Sequence, residues 1–175
     1  MVLNRFTLKE LAERKVIDDH QKALEEQRQV EEKTNDLVNI LNRDTLFIGK
    51  IKELDEFFKY VEKSNDIDIH GLRRVLTDKG LVYPEPGRCY EDQYEHMCIR
   101  RSETSRKKSN DYTLLCFNIE KGKIVLVKQY DAYYKEIKDT PESMDKKINL
   151  AFWLISHIDQ TFDAIKDHLH LEKDK

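Results

Sequence analysis

His96-Met97-Cys98-Ile99-Arg100-Arg101 and Tyr112-Thr113-Leu114-Leu115-Cys116-Phe117 are the two stretches whose reading decides the fold. In the first, Met97 and Ile99 alternate with His96, Cys98 and Arg100, the period of two that a strand with one buried face requires. Residues 104–111, Thr-Ser-Arg-Lys-Lys-Ser-Asn-Asp, are polar turn material, and the second stretch returns as a strand. A fold about Lys107 sets Cys98 opposite Cys116 and gathers Met97, Ile99, Leu115 and Phe117 on one face. The outer part of this hairpin is basic, with Arg100, Arg101, Arg106, Lys107 and Lys108.

Upstream of the hairpin the period is helical. Residues 48–63 place Ile51, Leu54, Phe57, Phe58 and Val61 on an inner face, and Ser64-Asn65-Asp66 ends the run. A shorter helix over 70–79 has Leu72, Val75 and Leu76 as its apolar side, with Gly80 where a left-handed cap belongs. Leu81-Val82-Tyr83 reads as a short extended piece, and Pro84-Glu85-Pro86-Gly87 as a loop. Two short helices, an extended link and a basic-tipped hairpin are the order of a winged helix-turn-helix. The expected class is therefore mainly α with a small β-hairpin (α+β). The candidate recognition helix, 71–79, offers Arg73 and Arg74, and the wing offers Arg100, Arg101, Arg106, Lys107 and Lys108. Basic side chains neutralise phosphates, and arginine also reads guanine edges. Most charge runs are simply solvated faces. Here one motif brings two basic clusters together, so double-stranded DNA is the expected ligand.

Long helices flank this unit. Thr7-Leu8-Lys9-Glu10 is a capping box, and nothing after it breaks a helix until about Asn42. Ile17, Leu24 and Val38 share a heptad register, but Glu31 interrupts it, and His20, Gln27 and Thr34 fill the complementary positions. That pattern suits a solvated helix, or a coiled coil completed by a partner. Residues 120–138 mix the strand-prone Ile124-Val125-Leu126-Val127 with helix-like flanks, and are expected to be a helix. Thr140-Pro141-Glu142 starts the last helix. Its seam is Met144, Ile148, Ala151, Ile155, Ile158, Phe162, Ile165 and Leu169, spaced by four and three without a miss. That seam exceeds the cover a 44–138 domain needs, which predicts an oligomer interface. The chain divides into a charged helix (1–43), the winged-helix-like domain (44–138) and an amphipathic helix (139–175).

Leu41-Asn42-Arg43-Asp44-Thr45-Leu46-Phe47-Ile48-Gly49, followed by Ile69-His70-Gly71-Leu72-Arg73-Arg74-Val75-Leu76-Thr77-Asp78-Lys79-Gly80-Leu81-Val82-Tyr83, resembles the C-terminal, KilA-C-type domain of phage antirepressors. The likeness covers about residues 37–130, and in it Glu120-Lys121-Gly122-Lys123 looks like the segment that opens the family's last helix. The chain departs from the family's pattern between Gly87 and Tyr94. The resemblance implies a phage or mobile-element regulator that acts on DNA or on another regulator, and not an enzyme.

Composition narrows the alternatives. The chain has 175 residues, 37% of them charged, yet a formal net charge of only −3, so the placement of each sign matters more than the sum. Five Gly and three Pro are too few for a strand-rich sandwich. The most apolar run, 148–155, is too short to span a bilayer, and residues 1–20 hold no apolar stretch of a signal peptide. Three cysteines, an odd number, fit a reducing cytoplasm. Cys89, His96, Cys98 and Cys116 lack a Cys-x-x-Cys knuckle, so no metal is expected, and Cys98 and Cys116 read as packing residues. Neither Gly49-Lys50 nor Gly122-Lys123 completes a phosphate-binding loop. No cofactor and no catalysis are expected. The alternative to DNA binding is an interaction protein that neutralises a host or phage protein through its long helices.

Overall fold

A computed structural model of the chain describes residues 6–79, 83–88, 94–102, 112–130 and 135–173, with backbone alone at 83–88, 94–96, 100–102, 112 and 171–173. Helix α1 (Leu8–Leu41) starts at the capping box: Thr7 N donates to Glu10 Oε2 at 2.7 Å, and Glu10 N donates to Thr7 Oγ1 at 3.2 Å. Two orphan N–H groups are thereby satisfied, which fixes the start of a 34-residue helix. Helix α2 (Thr45–Lys63) begins three residues earlier than its apolar pattern, because Asp44 caps it by accepting from Leu46 N at 2.9 Å. It buries Phe47, Ile48, Ile51, Leu54, Phe58 and Val61. Helix α3 (Ile69–Asp78) is capped by Asp68, which accepts from Gly71 N at 3.0 Å, and it buries Leu72 and Leu76.

Strands β1 (Tyr83–Arg88), β2 (Tyr94–Ser102), β3 (Tyr112–Glu120) and β4 (Lys123–Leu126) form an antiparallel sheet in chain order. The β2–β3 register is the expected one: Met97 faces Phe117, Cys98 faces Cys116 and Ile99 faces Leu115. Met97, Ile99, Leu115 and Phe117 are buried in the core.

The prolines at 84 and 86 are not in a loop; they lie in the edge strand β1. Cys98 and Cys116 are 4.2 Å apart at Cα, the close spacing of a non-hydrogen-bonded pair. Cys98 therefore turns its N–H and C=O toward β1, where Glu85 faces it, while Met97 and Ile99 bond toward β3. Pro86 and Pro84 stand opposite Met97 and Ile99, the positions at which β2 asks nothing of them. An edge strand tolerates proline in that phase.

The expected helix over 120–138 is also corrected. Lys121 (φ 51°) and Gly122 (φ 74°) make a two-residue hairpin, and Glu120 pairs with Lys123 to start β4. Positive φ at both central residues is what such a hairpin demands, and glycine supplies it at the second without steric cost. The same turn corrects the reading of Glu120-Lys121-Gly122-Lys123 as a helix opening.

Helix α4 (Pro141–Lys173) begins where expected: Ser143 N donates to Thr140 Oγ1 at 3.1 Å, and Thr140 N donates to Ser143 Oγ at 2.8 Å. Its buried stripe is Met144, Leu150, Ala151, Leu154, Ile158, Thr161, Ala164 and Ile165. One cluster joins Leu37, Ile40 and Leu41 of α1 with α2, α3, the sheet and this stripe. Burial on that scale contributes about 1.5–3 kcal/mol per large side chain. The seam expected to face a second copy is thus taken up inside the chain. Met144, Ala151, Ile158 and Ile165 are buried, and Ile148, Ile155, Phe162 and Leu169 pack partly buried against the same core. The sheet and α1 need more cover than the hairpin alone suggested, and α4 provides it.

Candidate nucleic-acid interface

Two features bring basic residues to one end of the sheet. The first is the length of the hairpin. Among the described residues, pairing of β2 with β3 continues through Arg101↔Thr113 to Ser102↔Tyr112, the described part of β1 begins at Tyr83, opposite Arg100, and β4 pairs with β3 as far as Leu126, opposite Phe117. These last pairs make the hairpin end of the sheet, hereafter the ribbon. Arg100 and Arg101 occupy consecutive register positions there, opposite Leu114 and Thr113. Arg106, Lys107 and Lys108 belong to the connection between β2 and β3 and lie outside the described residues. In sequence, residues 100–108 carry five bases against the single acid Glu103.

The second feature is the route from α3 to the sheet. Lys79 caps α3, and four residues later Tyr83 stands opposite Arg100. A four-residue step spans at most about 14 Å. The C-terminal end of α3 is therefore held at the ribbon end of the sheet, and α3 packs on β1 and α4. The two arginines of α3 have different surroundings. Arg74 is exposed, while Arg73 is half-buried with its Nε inside the packing. Of the pair, Arg74 is the one presented to solvent. The exposed Lys79 was missed by the sequence reading, although a base closing a helix just before an edge strand signals its position.

At the far end of α3, Asp68 keeps its carboxyl below the ordinary carboxylate range, chiefly because it accepts the backbone N–H of Gly71. A Cβ on Gly71 would meet Asp68 Oδ2 at 2.6 Å, so glycine is what lets this cap close. Its negative charge faces the α3 N-terminus, where the helix dipole favours it. The C-terminal half of α3 is left with Arg74 and Lys79 as exposed bases, Asp78 being the exposed acid between them.

Cys98 and Cys116, expected as packing residues, are joined by a disulfide across the hairpin. Cys89 lies outside the described residues. Among the described residues, no His, Cys, Asp and Glu group is arranged to hold a metal ion, and no helix is long and apolar enough to cross a membrane. Comparison with protein-family models, with curated proteins and with solved structures gives no match. The reading of this site rests on its own geometry.

Proposed function

We propose that the protein is a regulatory DNA-binding protein of the phage-antirepressor kind, in which the β2–β3 ribbon acts as a wing beside α3. The observation that carries the reading is the ribbon: β2 and β3 pair as far as Ser102↔Tyr112, and residues 100–108 carry five bases against one acid. Two-stranded ribbons fit a groove of B-DNA, and bases along one neutralise phosphates on the groove wall. Arg74 and Lys79 extend the positive end from the ribbon to α3. The assignment to a winged helix belongs to this proposal.

Fluorescence titration of labelled duplex DNA tests it. Arg74→Ala and the Arg106→Ala/Lys107→Ala/Lys108→Ala variant each weaken binding, and Arg14→Ala, an exposed base of α1 outside the two clusters, leaves it unchanged. Equal affinity for all four proteins contradicts the assignment.

A second reading has its own observation. Residues 8–28 of α1 are all exposed, a stretch about 30 Å long, and include Leu8, Leu11, Val16, Ile17 and Leu24. An arm with that apolar content suits a protein partner. A pull-down that recovers one dominant protein after nuclease treatment, and loses it on Ile17→Asp/Leu24→Asp, supports this reading over DNA.

A further inference from the structure

We propose that Cys98–Cys116 is a reversible redox clasp that sets the order of the ribbon beyond it. Three observations support this. First, the pair occupies a non-hydrogen-bonded site, where the two Cα atoms lie 4.2 Å apart. The strands on either side hold the two sulfurs together, so the reduced pair stays poised to close. Second, the clasp is set apart from the main core cluster although both cysteines are buried. Met97, Ile99, Leu115, Phe117 and Ile124 point into the main cluster, while the cysteines take the opposite phase and are absent from it. Their neighbours on that outer face, Asn118 and Val125, are part-buried and exposed. The cysteines are themselves 7% and 3% exposed. Third, the clasp is the last covalent tie before the ribbon. Past it run the four pairs from Ile99↔Leu115 to Ser102↔Tyr112. A cross-link at the base of a hairpin restrains the pairs beyond it, so opening it should loosen them.

The co-reactant is a small disulfide of the glutathione class. One thiolate of the pair attacks it, forming a mixed disulfide and releasing one small thiol. The second thiolate then attacks the protein sulfur of that mixed disulfide and releases the second small thiol. Two protein thiols are oxidised, and two electrons reduce the small disulfide. Reduction by excess small thiol is the reverse.

The chemistry of the clasp stands apart from the DNA reading; its effect on affinity rests on that reading. The test uses the full chain carrying Cys89→Ser, so that thiol counting reports the pair alone. The folded protein is equilibrated over a range of reduced-to-oxidised glutathione ratios, quenched and alkylated, and its mass measured. Both thiols should appear together in one two-electron transition without denaturant, and vanish on reoxidation. Amide exchange at 99–102 and 112–115 should quicken roughly tenfold or more in the reduced form, and equally in a Cys98→Ser/Cys116→Ser variant at every ratio. A pair reducible only after unfolding overturns the proposal, as do thiols that never close or exchange rates that ignore the redox state. Duplex titration of both forms is the separate arm. With the clasp working and neither form binding, the DNA reading fails and the clasp remains.

Discussion

The amide of Asn42 bonds both backbone polar groups of Ile124: Nδ2 donates to the carbonyl at 2.9 Å, and Oδ1 accepts from the N–H at 2.7 Å. One side chain at the end of α1 thus closes the outer edge of β4 where it is part-buried, and an edge strand left open there would lose both bonds. Asn42→Ala should lower stability by about 1–3 kcal/mol in urea unfolding, because both groups of Ile124 lose their partner. Asn42→Asp keeps only the acceptor and should fall between. On the exposed arm, Arg28 donates through Nε to Glu25 Oε2 at 3.0 Å and is also paired with Glu32. The Arg28 bond holds the Glu25 carboxyl down at about 2 from an ordinary 4.5. A depressed carboxylate contributes its stability above the unfolded value and loses it as pH falls through the folded one. Arm helicity, read by circular dichroism, should therefore decline between pH 4.5 and 2, and the decline should shrink in high salt because the pair is fully exposed. Arg28→Gln should remove that step.

At the scale of elements, α4 offers the clearest prediction, because its sequence fills adjacent columns with apolar residues. Leu154 is buried while its neighbour Phe152 is half-exposed. Leu154→Ala should cost about 2–5 kcal/mol, and Phe152→Ser should stay within about 0.5 kcal/mol, both by urea unfolding. A helix facing a second copy through the predicted seam would instead show Ile155→Ala as the costly change. The existence and length of α4 were legible in Thr140-Pro141 and the four-three spacing. Its inner phase was legible in the seam, all eight residues of which pack on the core, but Leu150, Leu154, Thr161 and Ala164 were not, because Phe152-Trp153-Leu154 gives no angular preference and the packing of α1 and the sheet selects one. The β2–β3 register was legible for the opposite reason: a one-residue slip would turn Met97, Ile99, Leu115 and Phe117 out of the core. Pro84 and Pro86 hid β1, since the cost of a proline depends on whether its side of the strand is free, and that is a property of the sheet. Lys121-Gly122 held the signal for β4, but the helix-like residues on either side outweighed two residues of turn chemistry.

For the whole molecule, the net charge of −3 conceals a segregation along the chain. Helix α1 carries nine acids against six bases, whereas residues 100–108 carry five bases against one acid, and Arg74 and Lys79 lie at the end of α3. The candidate residues were legible as clusters of like charge; which of them reach solvent was not, as the split between Arg73 and Arg74 shows, because burial of an arginine stem is decided by packing. Segregated charge predicts that affinity for DNA is set by the positive end and not by the total. The central claim is tested most directly by the salt dependence of duplex binding. Each phosphate neutralised contributes about −0.9 to the slope of log affinity against log salt. Wild-type protein should bind with a clear negative slope, and Arg106→Ala/Lys107→Ala/Lys108→Ala should make it shallower by about 2–3. A flat salt response, or a slope that the triple substitution leaves unchanged, would contradict the ribbon as a DNA-binding element.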